Sequence, residues 1–206
     1  MTWYRRRRGF RVTARTVGGA AGASAAVTLP AAKPGDLLLV LACSQDVNST
    51  IGVGSSPGWA VLGYNQTYYQ PTIGAVWAVA GASGSLTLSG STSLAWAAYV
   101  ISGWSGQASD LKAAGSYTYS GTPTLALTPG YAADRQWMCI GGYVHGARAA
   151  PTAYPAGFSV PQTYHVDTTR AAIDTVEQQR TGAQPSATWS TTTGWWASLT
   201  VGVRTG

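Results

Sequence analysis

Residues 34–46 read PGDLLLVLACSQD, an acid followed by an unbroken apolar run from Leu37 to Cys43. A short continuous apolar run bounded by turn formers is the pattern of a strand buried on both faces. The same arrangement recurs about 98 residues later, where Asp134 precedes the run Trp137 to Gly142. Working outward from this pair, two halves of the chain can be laid over each other. Val27-Thr28-Leu29 falls on Leu125-Ala126-Leu127, and Pro57-Gly58-Trp59 falls on Pro155-Ala156-Gly157-Phe158. Gly84 meets Gly182, and the closing stretch from Leu94 to Val100 meets that from Gly194 to Val201.

Each half divides into short strand-like stretches separated by Gly, Pro, Ser and Asn, the sequence pattern of an all-β protein. In the first half these are 26–29, 36–43, 59–63, 73–80, 85–89 and 94–101. In the second they are 115–119, 123–127, 136–144, 158–164, 170–177, 186–189 and 194–203. Leu86 and Leu88 alternate with Thr87 and Ser89, as on a half-buried strand. The stretch RAAIDTVEQQR at 170–180 has helical propensity, but the repeat sets it opposite Thr72 to Ala80, so it is assigned to a strand. The expected fold is a jelly-roll-like antiparallel β-sandwich at 25–206, made of pseudo-repeats at about 25–110 and 111–206. Trp59 and Phe158, and Trp96 and Trp195, recur at matching places and are expected to pack the core.

The charge is unevenly distributed. Only 10% of the residues are charged, and the net charge is +6, against about 25% charged residues in an ordinary soluble domain. Arg5, Arg6, Arg7, Arg8, Arg11 and Arg15 carry all of the excess; beyond them seven basic residues balance seven acids. The high pI of about 9.5 therefore belongs to an arm and not to the body. A basic surface for nucleic acid on the folded part is poorly supported. Residues 1–24 are read as an extended arm followed by a Gly/Ala hinge, GGAAGAS at 18–24. An export signal is the weaker reading, because Arg15 interrupts the place where an apolar region should begin. Within FRVTARTV, period-two alternation sets Phe10, Val12, Ala14 and Thr16 on one side of an extended chain and Arg11, Thr13, Arg15 and Val17 on the other. Such a segment can pair with a sheet edge while one face presents arginine, whose planar fork fits carboxylates.

Candidate chemistry is sparse. His145 and His165 have no acid or cysteine cluster at metal spacing around them, and no metal or cofactor is expected. The acids are scattered. Asp167 and Asp174 are the pair a hairpin would bring together, and Asp36 and Asp134 suit a turn before a strand. Cys43 and Cys139 lie in apolar runs, the context of buried free thiols, with a single disulfide between them as the alternative. No apolar stretch reaches the length of a membrane helix. Tyr64, Tyr68 and Tyr69 in GYNQTYYQP, and Tyr117 and Tyr119 in SYTYS, form a candidate interface, with sugar stacking as the other use of such residues.

The series PGDLLLVLACSQD, SSPGWAVLG and GAVWAVAGASGSLTLSGSTSLAWAAYVISGW, echoed by YPAGFSV and GWWASLTVGVRTG, resembles a family of small β-sandwich virion proteins of tailed phages and gene-transfer particles. The resemblance covers about residues 27–203 and leaves the arm outside it. It implies a structural, non-enzymatic role with no catalytic residues. The expectation that follows is a capsid decoration (cement) protein on the outside of the capsid. It would be an oligomer, with a trimer favoured, that grips the major capsid protein through Arg5 to Arg8, Phe10, Arg11 and Arg15. Neither a membrane nor nucleic acid is expected as its partner. The alternative is a head-fibre or tail adsorption module that binds host glycans through the tyrosines.

Overall fold

The computed structural model describes residues 9–44, 49–65, 71–90, 93–118, 136–145, 150–166, 171–181, 188–190 and 194–206. They form two five-stranded antiparallel sheets and a small ribbon. The first sheet contains β1 (Arg11–Ala21), β3 (Leu37–Ser44), β4 (Ala60–Asn65), β5 (Thr72–Val79) and β7 (Ser93–Ser102), in the order β1-β7-β3-β5-β4. The second contains β8 (Leu111–Thr118), β9 (Gln136–His145), β10 (Ser159–Val166), β11 (Ala171–Thr181) and β12 (Trp196–Arg204), in the order β8-β12-β9-β11-β10. The ribbon pairs β2 (Ser24–Ala26) with β6 (Thr87–Ser89). Strand for strand, the two sheets are connected in the same order.

The eight residues of β3 are all buried, for a layered reason. Leu37, Leu39, Leu41 and Cys43 face the second sheet, where Met138, Ile140, Ile173, Leu199 and Val201 meet them. Leu38, Val40 and Ala42 face the other way, under a cover that includes Val27, Ile51, Trp59, Leu86 and Leu88. A strand covered on both faces has no need of polar alternation, and this is why Leu37 to Cys43 read as one apolar run. The second sheet has a smaller outer cover, where Trp189 and Tyr154 lie over Val176 and Trp196.

The covers are built alike. In each half a turn places an aromatic residue over the sheet, with Trp59 N–H bonding Ser56 O at 3.4 Å and Phe158 N–H bonding Pro155 O at 3.3 Å. Gly58 (φ 77°) and Gly157 (φ 81°) hold the left-handed position in these turns, where a side chain would be strained. A bridge then ties each cover together, Gly52 to Ser89 in one half and Ala153 to Ser190 in the other.

Several expectations need correction. A jelly roll sends consecutive strands back and forth between its sheets, whereas among the described residues the chain passes from the first sheet to the second once, through a short 3-10 turn at Ala108–Asp110. The antiparallel sandwich stands; the jelly-roll pattern is left without support. Trp196, not Trp195, is the fully packed residue of the closing strand, since Trp195 precedes β12 and is half-buried. Residues 11–17 pair with a sheet edge, as their alternation allowed, but the pairing runs on through 18–21 of the expected hinge, so that β1 joins β7 from Arg11↔Ser102 to Ala21↔Ser93. The stretch 123–127 lies outside the described residues. From Ala171 onward RAAIDTVEQQR is a strand as expected, because β11 is hydrogen-bonded on both sides, to β10 and β9.

Candidate functional site

The place where the arm joins the body is the natural site to build. Arg5 to Arg8 lie outside the described residues, and the chain enters at exposed Gly9. Phe10 follows, buried in the core between the sheets, and acts as the plug that fixes the start of β1. A bulge between Val12 and Ala14 then breaks the regular alternation. It leaves Val12 facing inward and switches the phase, so that Arg15 and Val17 also face inward, opposite Tyr99 and Ala97. The sequence had set Arg11 and Arg15 on one side, away from Phe10 and Val12; the bulge separates them.

The two arginines consequently do different things. Arg15 reaches from the first sheet to the second and grips Glu177 of β11 with both ends of its fork: Nη2 donates to Oε1, and Nε donates to Oε2 at 3.2 Å. Beside it Tyr99 Oη donates to Thr175 Oγ1 at 2.6 Å, a second tie between the sheets. Burial pushes the Tyr99 hydroxyl far above its ordinary pKa, only partly offset by that bond, so it remains protonated. Arg15 is thus engaged within the chain, while Arg11 is exposed on the outer side.

Arg11 and Lys33 flank a cleft of about 340 Å³ whose other walls are Gly9, Thr13, Ala31, Asp36 and Ser102. Asp36 is buried and fully engaged: Ser102 Oγ donates to Oδ1 at 2.8 Å and Lys33 N–H donates to Oδ2 at 2.9 Å. It closes the turn before β3, the role its position before the apolar run suggested; its counterpart Asp134 lies outside the described residues. What the rim presents to solvent is cationic. On the opposite flank of Gly9 is a second hollow of about 380 Å³, between Phe10, Trp104, Gln136 and Gly206. Trp104 is held there by its indole N–H on Gly35 O at 3.0 Å and stands edge-on to Trp77.

One nearby group escaped the sequence reading. Arg204 of β12 donates to Asp110 Oδ1 at 2.9 Å and lies 5.9 Å from the centre of the Trp137 ring. Burial alone would raise the Asp110 carboxyl, but hydrogen bonds from Arg204 and Ser105 outweigh it and hold it below its ordinary value. Nothing in the sequence links partners so far apart in the chain.

The remaining candidates are dispersed. Tyr64 and Tyr117 lie in β4 and β8, edge strands that run beside each other at the far side of the sandwich from β1. Tyr68, Tyr69 and Tyr119 lie outside the described residues, as does Asp167. Asp174 is buried and accepts from Tyr154 Oη at 3.2 Å. His145 and His165 fall near the ends of β9 and β10. Among the described residues, no three His, Cys, Asp or Glu side chains are grouped to hold a metal. Nor is any helix there long and apolar enough to cross a membrane. Cys43 and Cys139 are free and buried, one facing the second sheet and the other on that sheet's outer side, so they do not meet. Burial pushes their thiols up to about 12 and about 11, which keeps them neutral and unreactive.

Comparison of the chain with protein-family models, curated proteins and solved structures finds no match.

Proposed function

We propose that the protein is a non-enzymatic structural component of a tailed-phage virion. In this reading it is a capsid decoration protein, seated on the exterior of the shell through its basic arm. The observation that carries the reading is the division of charge about β1. Arg15 is neutralised inside the sandwich by Glu177, and Arg204 is paired with Asp110. The arginines ahead of Gly9, together with Arg11, give the chain a concentrated cationic end and five of its six excess positive charges. A planar guanidinium makes bidentate contacts with carboxylates, so an acidic surface of the major capsid protein suits this end. The resemblance over residues 27–203 supports the same setting, and a trimer or other symmetric oligomer fits the symmetric sites of a shell.

The test is co-sedimentation with purified shells. Replacement of Arg5 to Arg8 by Ala leaves the fold intact and removes shell binding, and wild-type binding weakens as salt is added. Unchanged occupancy of the shells by the variant refutes the reading. One observation favours the adsorption alternative: Tyr64 and Tyr117 sit on neighbouring edge strands, β4 and β8. Specific sugar binding on a glycan array, lost with Tyr64→Ala and Tyr117→Ala, would decide for that reading.

A further inference from the structure

The first sheet ends at β1, and among the described residues no other strand pairs with its outer edge. In an edge strand, alternate residues turn their N–H and C=O groups away from the sheet. Beyond the bulge this row passes Gly18, Gly19 and Ala20, which are half-buried but carry little or no side chain to bar the approach of another backbone. At its start lies exposed Arg11, which shares with Lys33 the rim of the cleft described above.

We propose that this edge receives an extended acidic segment of a partner protein as a further strand of the first sheet, the segment's carboxylates meeting Arg11 and Lys33. Backbone pairing supplies attachment along β1, and the two cations select the partner. Asp36 is buried and held by Ser102 Oγ and the Lys33 N–H, and the two cations outnumber its single charge, so the rim keeps a net positive charge. A second copy of this chain is disfavoured: it would bring a like-charged arm to the same edge, and the bulge spoils regular self-pairing. Nucleic acid is disfavoured as well, since an exposed ladder of amides and carbonyls matches another peptide backbone and not a row of phosphates. The identity of the partner rests on the capsid reading; the mode of binding does not.

The probe is a short fluorescein-labelled peptide of alternating Glu and Val, titrated by anisotropy against the whole protein. The peptide binds, and methylation of alternate backbone amides weakens it by about tenfold or more, because the pairing hydrogen bonds are lost. Arg11→Glu combined with Lys33→Glu weakens it comparably while the melting temperature holds, and an alternating Lys and Val peptide does not bind. Equal affinity of the methylated peptide overturns strand addition on unaltered protein, so the result does not depend on any variant folding. A single-stranded oligonucleotide that binds the edge more tightly than the peptide overturns the choice of partner. A dimer, seen by sedimentation, that the peptide dissociates assigns the edge to a second copy and overturns it too. Absence of peptide binding, in a protein that still sediments with shells through Arg5 to Arg8, ends this inference and spares the capsid reading. Peptide binding without shell binding does the reverse.

Discussion

Arg15 and Gly18 show how much a single position in β1 decides. Arg15 and Glu177 are only partly exposed, 31% and 13% of their side chains respectively, so removal of one leaves the other half-buried and unpaired. A double-mutant cycle with Arg15→Ala and Glu177→Ala should return a coupling of about 1 kcal/mol, the discounted worth of a bidentate pair near the surface. Denaturant unfolding of the four proteins measures it, and additive losses would mean that the pair contributes nothing. Gly18 lies directly under the indole of Trp96, and a Cβ there would run into the ring. Gly18→Val should therefore cost about 1–3 kcal/mol through overpacking, also read by denaturant. The sequence presented Gly18 as part of a flexible hinge. A Gly/Ala-rich stretch looks the same whether it is loose or pressed against a tryptophan, and the partner that decides lies far along the chain.

At the level of elements, β1 belongs to the body even though its charge belongs to the arm. Its Val12 and Val17, with Phe10 just ahead, pack on the core between the sheets, and its whole length covers the edge of β7. Deletion of residues 1–8 should leave melting temperature and monodispersity unchanged. Deletion of residues 1–21 should remove several kcal/mol of burial, at about 1.5–3 kcal/mol for each large apolar side chain, and leave an open edge that aggregates. Thermal melting and gel filtration separate the two outcomes. The strands themselves were legible because their apolar runs are local features: β3, β5, β7, β9 and β12 all fall where the sequence put them. β11 was legible through the repeat despite its helical propensity. The bulge was not, since one extra residue leaves no mark in an alternating pattern.

For the molecule as a whole, the decisive feature is that one apolar layer serves both sheets. Neither sheet retains its buried face without the other, so unfolding should follow a single transition by fluorescence and circular dichroism alike. The thiols offer a third probe of the same event. Cys43 and Cys139, with values of about 12 and about 11, should be silent to a thiol reagent at neutral pH in the native protein and react together on unfolding. Early reaction of one would mean that its layer opens separately. Acid acts through Asp110, whose carboxyl is held low in the folded state. Its contribution is present above the ordinary aspartate pKa and is lost as pH falls through the lowered folded value. The stability gap between wild type and Arg204→Ala should accordingly narrow under acid, and a gap independent of pH would deny the ion pair that role. The layered architecture could be anticipated from composition and repeat, whereas the Arg204–Asp110 and Arg15–Glu177 contacts depend on how the layers are stacked, which no local pattern encodes.

The antiparallel pairing of β1 with β7 also has a mechanical meaning. A pull on the chain ahead of Gly9, directed along β1, draws that strand past its neighbour instead of peeling it away. The pairings from Arg11↔Ser102 to Ala21↔Ser93 then carry the load together, not one after another. Part of the load passes through the Arg15 fork to Glu177 and so into the other sheet. A tether attached at this point would strain both layers of the sandwich at once, and it would have to shear a whole ladder before it came free.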